Sequence, residues 1–420
     1  MSFFKDFSMF EGFLDSLGMF RMELGLERMH KALDVLGIAP DQVPCVQIVG
    51  TNGKGSTACF LESLARSSGL KTGLYTSPHL VSVRERIRIN RELVSEEAWV
   101  GAANHVLDCC QGLELTYFEL LTVMAVHLFD QEGIDLAIME AGLGGKYDAT
   151  SALTPVMNVF TPVARDHTPI LGNTLEEIAR DKSMAMKQGP VIAAGQNPVV
   201  MDVLRARAGD MGADMYPVSD YFDFDQNQLK FRLMPGLSLK EEDIGLKGYY
   251  QLENAAGALL AWKILADIRE YRSDVDKCVS ALKTAFWPGR LHVVQQSPMI
   301  ILDGAHNVHA LQALKNSLRK MKIKPATIIF SCLMDKDVQD MVNEIKALGA
   351  RHILVPEIRN NPRAMSGQKL VTLFGSDACI LEDPEKYLAA LTADHAPVLV
   401  CGSLYLLGQI YSAFPQWLER

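Results

Sequence analysis

Residues 45–57 read CVQIVGTNGKGST. An apolar, strand-like run enters a turn holding Gly50, Gly53, Gly55 and one lysine, Lys54, and a helix-like segment follows. A strand that feeds a helix through a glycine turn belongs in a parallel sheet covered by helices. The turn lets backbone N–H groups approach phosphate oxygens, and the helix adds its positive end. Lys54 supplies a point charge for β and γ phosphates. The usual loop of this kind places Ser or Thr directly after the lysine, whereas here Gly55 separates Lys54 from Ser56. The plainer alternative is a strand-to-helix turn with an incidental surface lysine. The G-x-x-G-x-G spacing does not fit a dinucleotide fingerprint, and no acidic strand end stands at the expected distance.

The chain around this turn alternates strand and helix. Apolar spacing predicts a helix over 21–37, ending at Gly37, and another from about Ser56 to Ser68. Strands are expected at 45–49, 70–76, 134–140 (IDLAIME) and VMNVF. Residues 216–250 differ: YFDFDQ and LKFRLM alternate like antiparallel strands inserted at an edge. After the helical QLENAAGALLAWKILADI, the stretch TAFWPGR reads as a linker, and from Met299 the alternation restarts. The 420 residues are too many for one comfortable core. The expected fold is α/β: a phosphate-loop domain over 1–292, with a doubly wound, mainly parallel sheet and a small antiparallel insertion, then a smaller Rossmann-like α/β domain over 293–420.

A net charge of −9 implies no broad basic surface, which argues against nucleic acid as a partner. The eight cysteines include no CxxC pair and read as buried thiols in a reducing compartment. The start, MSFFKDFSMFEGF, lacks the sustained apolar run of a signal peptide. The apolar VLVCGSLYLLGQIYSAF is interrupted by Gly402, Ser403, Gly408 and Gln409, so it reads as strand and helix rather than a membrane span. A cytoplasmic protein without membrane contact is expected, working as a monomer on small molecules.

In LGNTLEEIARDKSMAMK, Thr174 and Glu177 form a capping-box pair. Helical spacing then places Leu175, Ile178, Lys182 and Ala185 on one face. Lys182 either reaches out along its aliphatic stem or is buried as a neutral amine, which reacts with CO₂ to give a carbamate. Glu140 ends LAIME before AGLGG, and His167 follows another strand in ARDHTPILG. Each is either a satisfied polar group or a metal ligand. Carboxylate, hydroxyl, imidazole and phosphate oxygens together suit Mg²⁺, the imidazole being the least typical member.

The segments GTNGKGS, YTSPHL with ERIRIN, LTYFE, EAGLGGKYDAT, DHTPILGNTLEEIARDK, WPGR and DGAHN occur in that order. From about residue 22 to its end, the chain resembles the folylpolyglutamate synthase/dihydrofolate synthase family of ATP-dependent ligases, relatives of the Mur ligases. The resemblance implies that ATP phosphorylates a pterin-containing carboxylate (dihydropteroate, a folate, or both) and that the amine of L-glutamate displaces phosphate from the acyl phosphate. It implies an ATP cradle of Thr51, Asn52, Gly53, Lys54, Gly55 and Ser56, with Asn254, Arg290 and Asp303 also at the nucleotide and His306 bordering either the ATP or the glutamate site. Two Mg²⁺ ions are implied, with Ser77 and Glu140 at the first, His167 at the second, and a carbamylated Lys182 beside them. For the pterin it implies Met22, Glu23 and Leu24, then Thr116, Tyr117, Phe118 and Glu119, then Tyr147, Asp148 and Ala149. Core packing is the plainer reading of Tyr117 and Phe118.

Lys146-Tyr147 stands where the family usually has Arg-Leu, and Ser151 where it has Asn. Ser-Met-Ala-Met follows Lys182, and Val308 replaces a proline. These changes bear on substrate choice more than on the reaction. Two alternatives carry different expectations. A ligase of muramyl precursors would carry a further domain ahead of the loop, where only 49 residues precede Gly50. A regulatory or transport NTPase would give Lys182, Arg290 and the second α/β domain no role.

Overall fold

The computed structural model describes residues 3–19, 21–225 and 228–419. Among them the first sheet has eight strands: β1 (Cys45–Val49), β2 (Thr72–Tyr75), β3 (Ile87–Ile89), β4 (Glu92–Leu93), β5 (Leu136–Glu140), β6 (Met157–Phe160), β7 (Val191–Ala193) and β8 (Met215–Pro217). Their order is β4-β3-β2-β5-β1-β6-β7-β8. The six strands from β2 to β8 run parallel, and β3 and β4 continue the β2 edge antiparallel. β1, β2, β5 and β6 are buried along their whole length, as strands covered on both faces must be. The order reverses around β1, so a crevice opens at the carboxyl ends of β1, β5 and β6.

The helix Lys54–Ser67 packs against the long helix Tyr250–Arg269 on one face of this sheet. On the other face the helices Phe7–Leu17, Glu27–Val35, Glu96–Cys109 and Tyr117–Gln131 enclose a second apolar cluster. The antiparallel insertion is a three-stranded sheet of β9 (Phe222–Asp225), β10 (Gln228–Phe231) and β11 (Ser238–Leu239). Residues 216 and 217, expected in the insertion, instead belong to the parallel edge strand β8.

The last sheet comprises β12 (His292–Gln296), β13 (Met299–Leu302), β14 (Thr327–Phe330), β15 (His352–Val355), β16 (Ala378–Ile380) and β17 (Val398–Cys401), in the order β12-β13-β17-β14-β15-β16. Only β12 is antiparallel. It starts at His292, so this residue, assigned from sequence to the first domain, pairs within the second sheet.

The helix expected over 21–37 is shorter, Glu27–Val35. Gly25, at φ 128°, breaks the helix path that Met22 and Leu24 would otherwise extend. Its expected end is close, with Gly37 at φ 69° after Leu36.

Candidate active site

One cavity of about 1010 Å³ lies where the carboxyl ends of β1, β2, β5 and β6 face the loops of the second sheet. Of the residues singled out from sequence, Tyr117 alone is absent from its lining. Tyr117 is 3% exposed, packs in the core and carries the Arg86 guanidinium 5.3 Å from its ring centre. The first residue of a capped helix turns inward here, while Phe118 lines the cavity.

The phosphate loop is held from both sides. Gly53, at φ 86°, starts the helix Lys54–Ser67 in the left-handed region, and a Cβ there would stand 2.4 Å from Asn254 Oδ1. A Cβ on Gly55 would approach Trp287 Nε1 to 3.2 Å and Glu140 Oε2 to 3.6 Å. The position after the lysine is therefore narrow as well as free of a hydroxyl. Ser56, one residue on, is 2% exposed. Thr51 Oγ1 donates to the Ala164 carbonyl (3.0 Å), and Lys54 Nζ donates to the Thr51 carbonyl (3.2 Å).

Glu140 closes β5 and is 5% exposed, and the Ser77 backbone N–H donates to its Oε2 at 3.1 Å. Burial raises the Glu140 pKa against the pull of Lys54. Lys182 is 4% exposed and donates from Nζ to the Gly50 carbonyl at 2.9 Å. Burial first, and the Lys54 charge second, bring its pKa down to about 7. Of the face predicted for this helix, Ile178 and Lys182 are buried and Leu175 is half-buried, whereas Ala185, also buried, lies beyond the helix end at Ser183; the Thr174–Glu177 capping box forms. His167 sits at φ 51° after β6, and burial lowers its pKa to about 4, leaving a neutral imidazole.

Asp148 accepts from Leu143 N–H (2.8 Å) and from Thr150 N–H and Oγ1, fixing the turn that carries Tyr147 and Ala149. Tyr147 is 42% exposed, with Lys146 Nζ 4.6 Å from its ring centre. Glu119 closes the capping box with Thr116 and also receives Arg28, at 2.9 Å from Nη2. Arg28 Nη2 in turn holds the Glu23 carbonyl at 2.7 Å, which ties Met22–Leu24 to the cavity mouth.

The second lobe supplies Arg290, Asp303 and His306. Asp303 is 3% exposed and accepts three hydrogen bonds: Leu291 N–H (2.7 Å), Ala305 N–H (2.8 Å) and Tyr250 O–H (3.1 Å). It therefore fixes the linker's exit as well as bordering the cavity.

Several residues that were not singled out join the lobes. Asp166 pairs with Lys336 at 2.5 Å and accepts from Asn307 Nδ2 at 3.0 Å. Asn307 and Asn52 exchange amide hydrogen bonds at 3.0 and 3.2 Å. Asp166 and Asn307 stand in the DH and DGAHN segments, which offered a signal; Lys336, in MDKD, gave none.

Among the described residues no group of three His, Cys, Asp or Glu side chains is placed to hold a metal. A cation here must share its ligands with another donor. One buried carboxylate, the Ser77 segment and a neutral imidazole beside a phosphate loop fit a hard divalent ion completed by phosphate oxygens.

Residues 48–262 match the Mur ligase middle domain, and residues 289–404 match the Mur ligase glutamate ligase domain. A dihydrofolate synthase/folylpolyglutamate synthase of Bacillus subtilis is 32% identical over 410 residues, covering 93% of this chain and 95% of that protein. The structure of E. coli FolC in complex with DHPP and ADP superposes with a TM-score of 0.86 at 26% identity, covering 98% of both chains. A bifunctional folylpolyglutamate synthase/dihydrofolate synthase with Mn, AMPPNP and L-glutamate bound gives 0.84 at 29% identity, again over 98% of both.

Proposed function

This chain belongs to the Mur ligase family as an ATP-dependent glutamate ligase of the dihydrofolate synthase/folylpolyglutamate synthase type, and we propose that the cavity between its lobes joins L-glutamate to dihydropteroate, to a folate, or to both. The observation that carries this reading is the convergence of the phosphate loop, Glu140, Lys182 and the loops of a second α/β lobe on one cavity. A switch-type NTPase has no use for the second lobe's Arg290 and His306 beside the phosphates.

The loop N–H groups, the helix starting at Lys54 and the Lys54 ammonium bind the ATP phosphates. Asn254 and Arg290 add contacts from either side, and Asp303 and His306 border the nucleotide. Met22–Leu24, Phe118, Glu119 and the Tyr147–Ala149 turn hold the pterin-bearing substrate, its carboxylate towards the γ phosphate. That carboxylate attacks phosphorus and ADP leaves. The neutral amine of glutamate then attacks the acyl carbon, loses a proton, and expels phosphate. Positioning and charge neutralisation supply most of the acceleration.

Two Mg²⁺ ions, held by Ser77 and Glu140 and by His167 and a carbamylated Lys182, would neutralise phosphate charge when bound. The enclosed Lys182 amine, its pKa brought down to about 7, supports the modification: once neutral, its nitrogen bonds to CO₂ carbon and releases one proton, turning a neutral amine into an anion. The boundary between the two working domains falls near residues 290–292, and the enzyme acts as a cytoplasmic monomer. Purified protein with ATP, Mg²⁺ and glutamate, offered dihydropteroate and tetrahydrofolate separately, tests the reading. Phosphate release is expected only with both glutamate and a pterin substrate; release that ignores them overturns it.

A further inference from the structure

The cations that line the cavity fall into two groups. Arg21 is paired with Glu23, Lys336 with Asp166, and Arg363 with Asp335, all within the protein. Apart from the exposed Lys146, which lies over the Tyr147 ring, the lining cations with no carboxylate of the described residues within 4 Å are Lys54, Lys182, Arg290 and Arg86. The first three face the phosphate loop and are taken up by nucleotide and metal in the reading above. Arg86 is left over.

Arg86 follows the Ser77 loop, at the entry to β3, and is 4% exposed. Its Nε donates to His79 Nδ1 at 3.0 Å, so it spends one donor on a neutral imidazole. Its guanidinium lies over the Tyr117 ring, and its remaining nitrogens have no hydrogen-bond partner among the described residues. A buried charge without a counter-charge is costly. Arginine adds a rigid fork that matches a carboxylate with two parallel bonds. The Tyr117 face and the His79 nitrogen orient that fork while neutralising none of its charge.

We propose that Arg86 is a binding residue for a substrate carboxylate, received as a two-pronged ion pair within the cavity. The proposal rests on the ligase reading, in which both co-substrates bring carboxylates: the pterin-bearing acid has the group to be activated, and the incoming amino acid has two. The shared chemistry is carboxylate recognition, and kinetics separate the sources.

The experiment compares wild type, Arg86→Gln and Arg86→Lys, with initial rates measured against each substrate in turn. Wild-type turnover dependent on a pterin acid and glutamate is scored first, so failure of the ligase reading shows there, before any variant is compared. A charge-assisted bond of about 1.5–3 kcal/mol predicts a rise in KM of roughly ten-fold or more for one carboxylate substrate in Arg86→Gln. Arg86→Lys keeps the charge but loses the fork, so a smaller rise is expected. A rise for glutamate identifies the amino acid as the source; a rise for the pterin acid identifies the other. KM for ATP stays at the wild-type value, and ADP raises the melting temperature of the variants as it does for wild type. The proposal is overturned if both carboxylate KM values stay unchanged in the variants, or if KM for ATP rises instead. Should Arg86→Gln fail to fold, the same measurements on Arg86→Lys decide.

Discussion

Asp166, from the loop after β6, and Lys336, from the loop after β14, meet across the two lobes in an ion pair of 2.5 Å, with side chains only 6% and 4% exposed. Burial works against the Asp166 charge, but the Lys336 ammonium, helped by His167 and His306, holds its carboxyl well below the usual range. Removing one partner leaves the other buried and uncompensated, at a cost of about 3 kcal/mol. Lys336→Met is expected to lose about that much in urea unfolding, and Asp166→Asn with Lys336→Met together less than the sum. A carboxyl with a depressed folded pKa gives stability that is complete above its unfolded value, near 4, and lost as pH falls below it. The pair therefore survives mild acid. If the double mutant is fully additive, the pair contributes no coupling.

Lys182 carries a linkage of the same sign in a higher pH window. Its folded pKa, about 7, lies below the ordinary lysine value, so between pH 7 and that value the folded protein binds fewer protons than the unfolded chain. Its contribution to stability rises with pH through that window. Lys182→Met is expected to flatten stability against pH between about 7 and 10, measured by unfolding at each pH. Lys182→Ala is expected to lose activity and to regain part of it with added short carboxylates. Full activity in the unsupplemented alanine variant would reject the carbamate.

The Ser77 segment stands beside the buried Glu140, its backbone N–H donating to Oε2 at 3.1 Å. Ser77→Ala is expected to raise the Mg²⁺ concentration needed for half-maximal rate more than Ser56→Ala does. A Mg²⁺ titration of both variants checks this, and the reverse order restores the ordinary loop-hydroxyl arrangement.

Gly145 touches no proposed substrate group, yet a Cβ on it would lie 2.4 Å from the Lys182 carbonyl oxygen and 2.7 Å from its Cα. Both obstacles are backbone, so the helix carrying Lys182 must shift. Gly145→Ala is expected to cost about 1–3 kcal/mol of stability and to lower kcat. An alanine variant with wild-type unfolding and kcat would show that the helix yields freely.

Local chemistry was readable from sequence. The Thr174 capping box, the apolar face bearing Lys182 and the phosphate turn all depend on residues within a few positions of one another. The helix predicted from residue 21 was cut to Glu27 because Gly25 takes a conformation that apolar spacing cannot reveal. Tyr117 went to the core and Phe118 to the cavity, a choice made by packing across two helices. Asp166 and Lys336 are 170 residues apart, so no spacing marks them as partners. Arg86 lay inside the quoted ERIRIN, but its want of a counter-charge is visible only once every neighbour is placed.

The linker has one last consequence. Trp287 packs on the first lobe's core beside Gly55 and its ring lies 5.6 Å from the Arg88 guanidinium, whereas Gly289 is bonded to the second lobe: its N–H donates to the Tyr411 hydroxyl oxygen (2.8 Å) and its carbonyl accepts from Gly304 N–H (2.7 Å). Only Pro288 lies between these anchorages, so the pivot is one residue long. If the lobes part, the indole stays over the phosphate loop and Arg290 departs with the other half. The grip on the nucleotide is then a gauge of the angle between the lobes: whatever tightens one must, by reciprocity, favour the other.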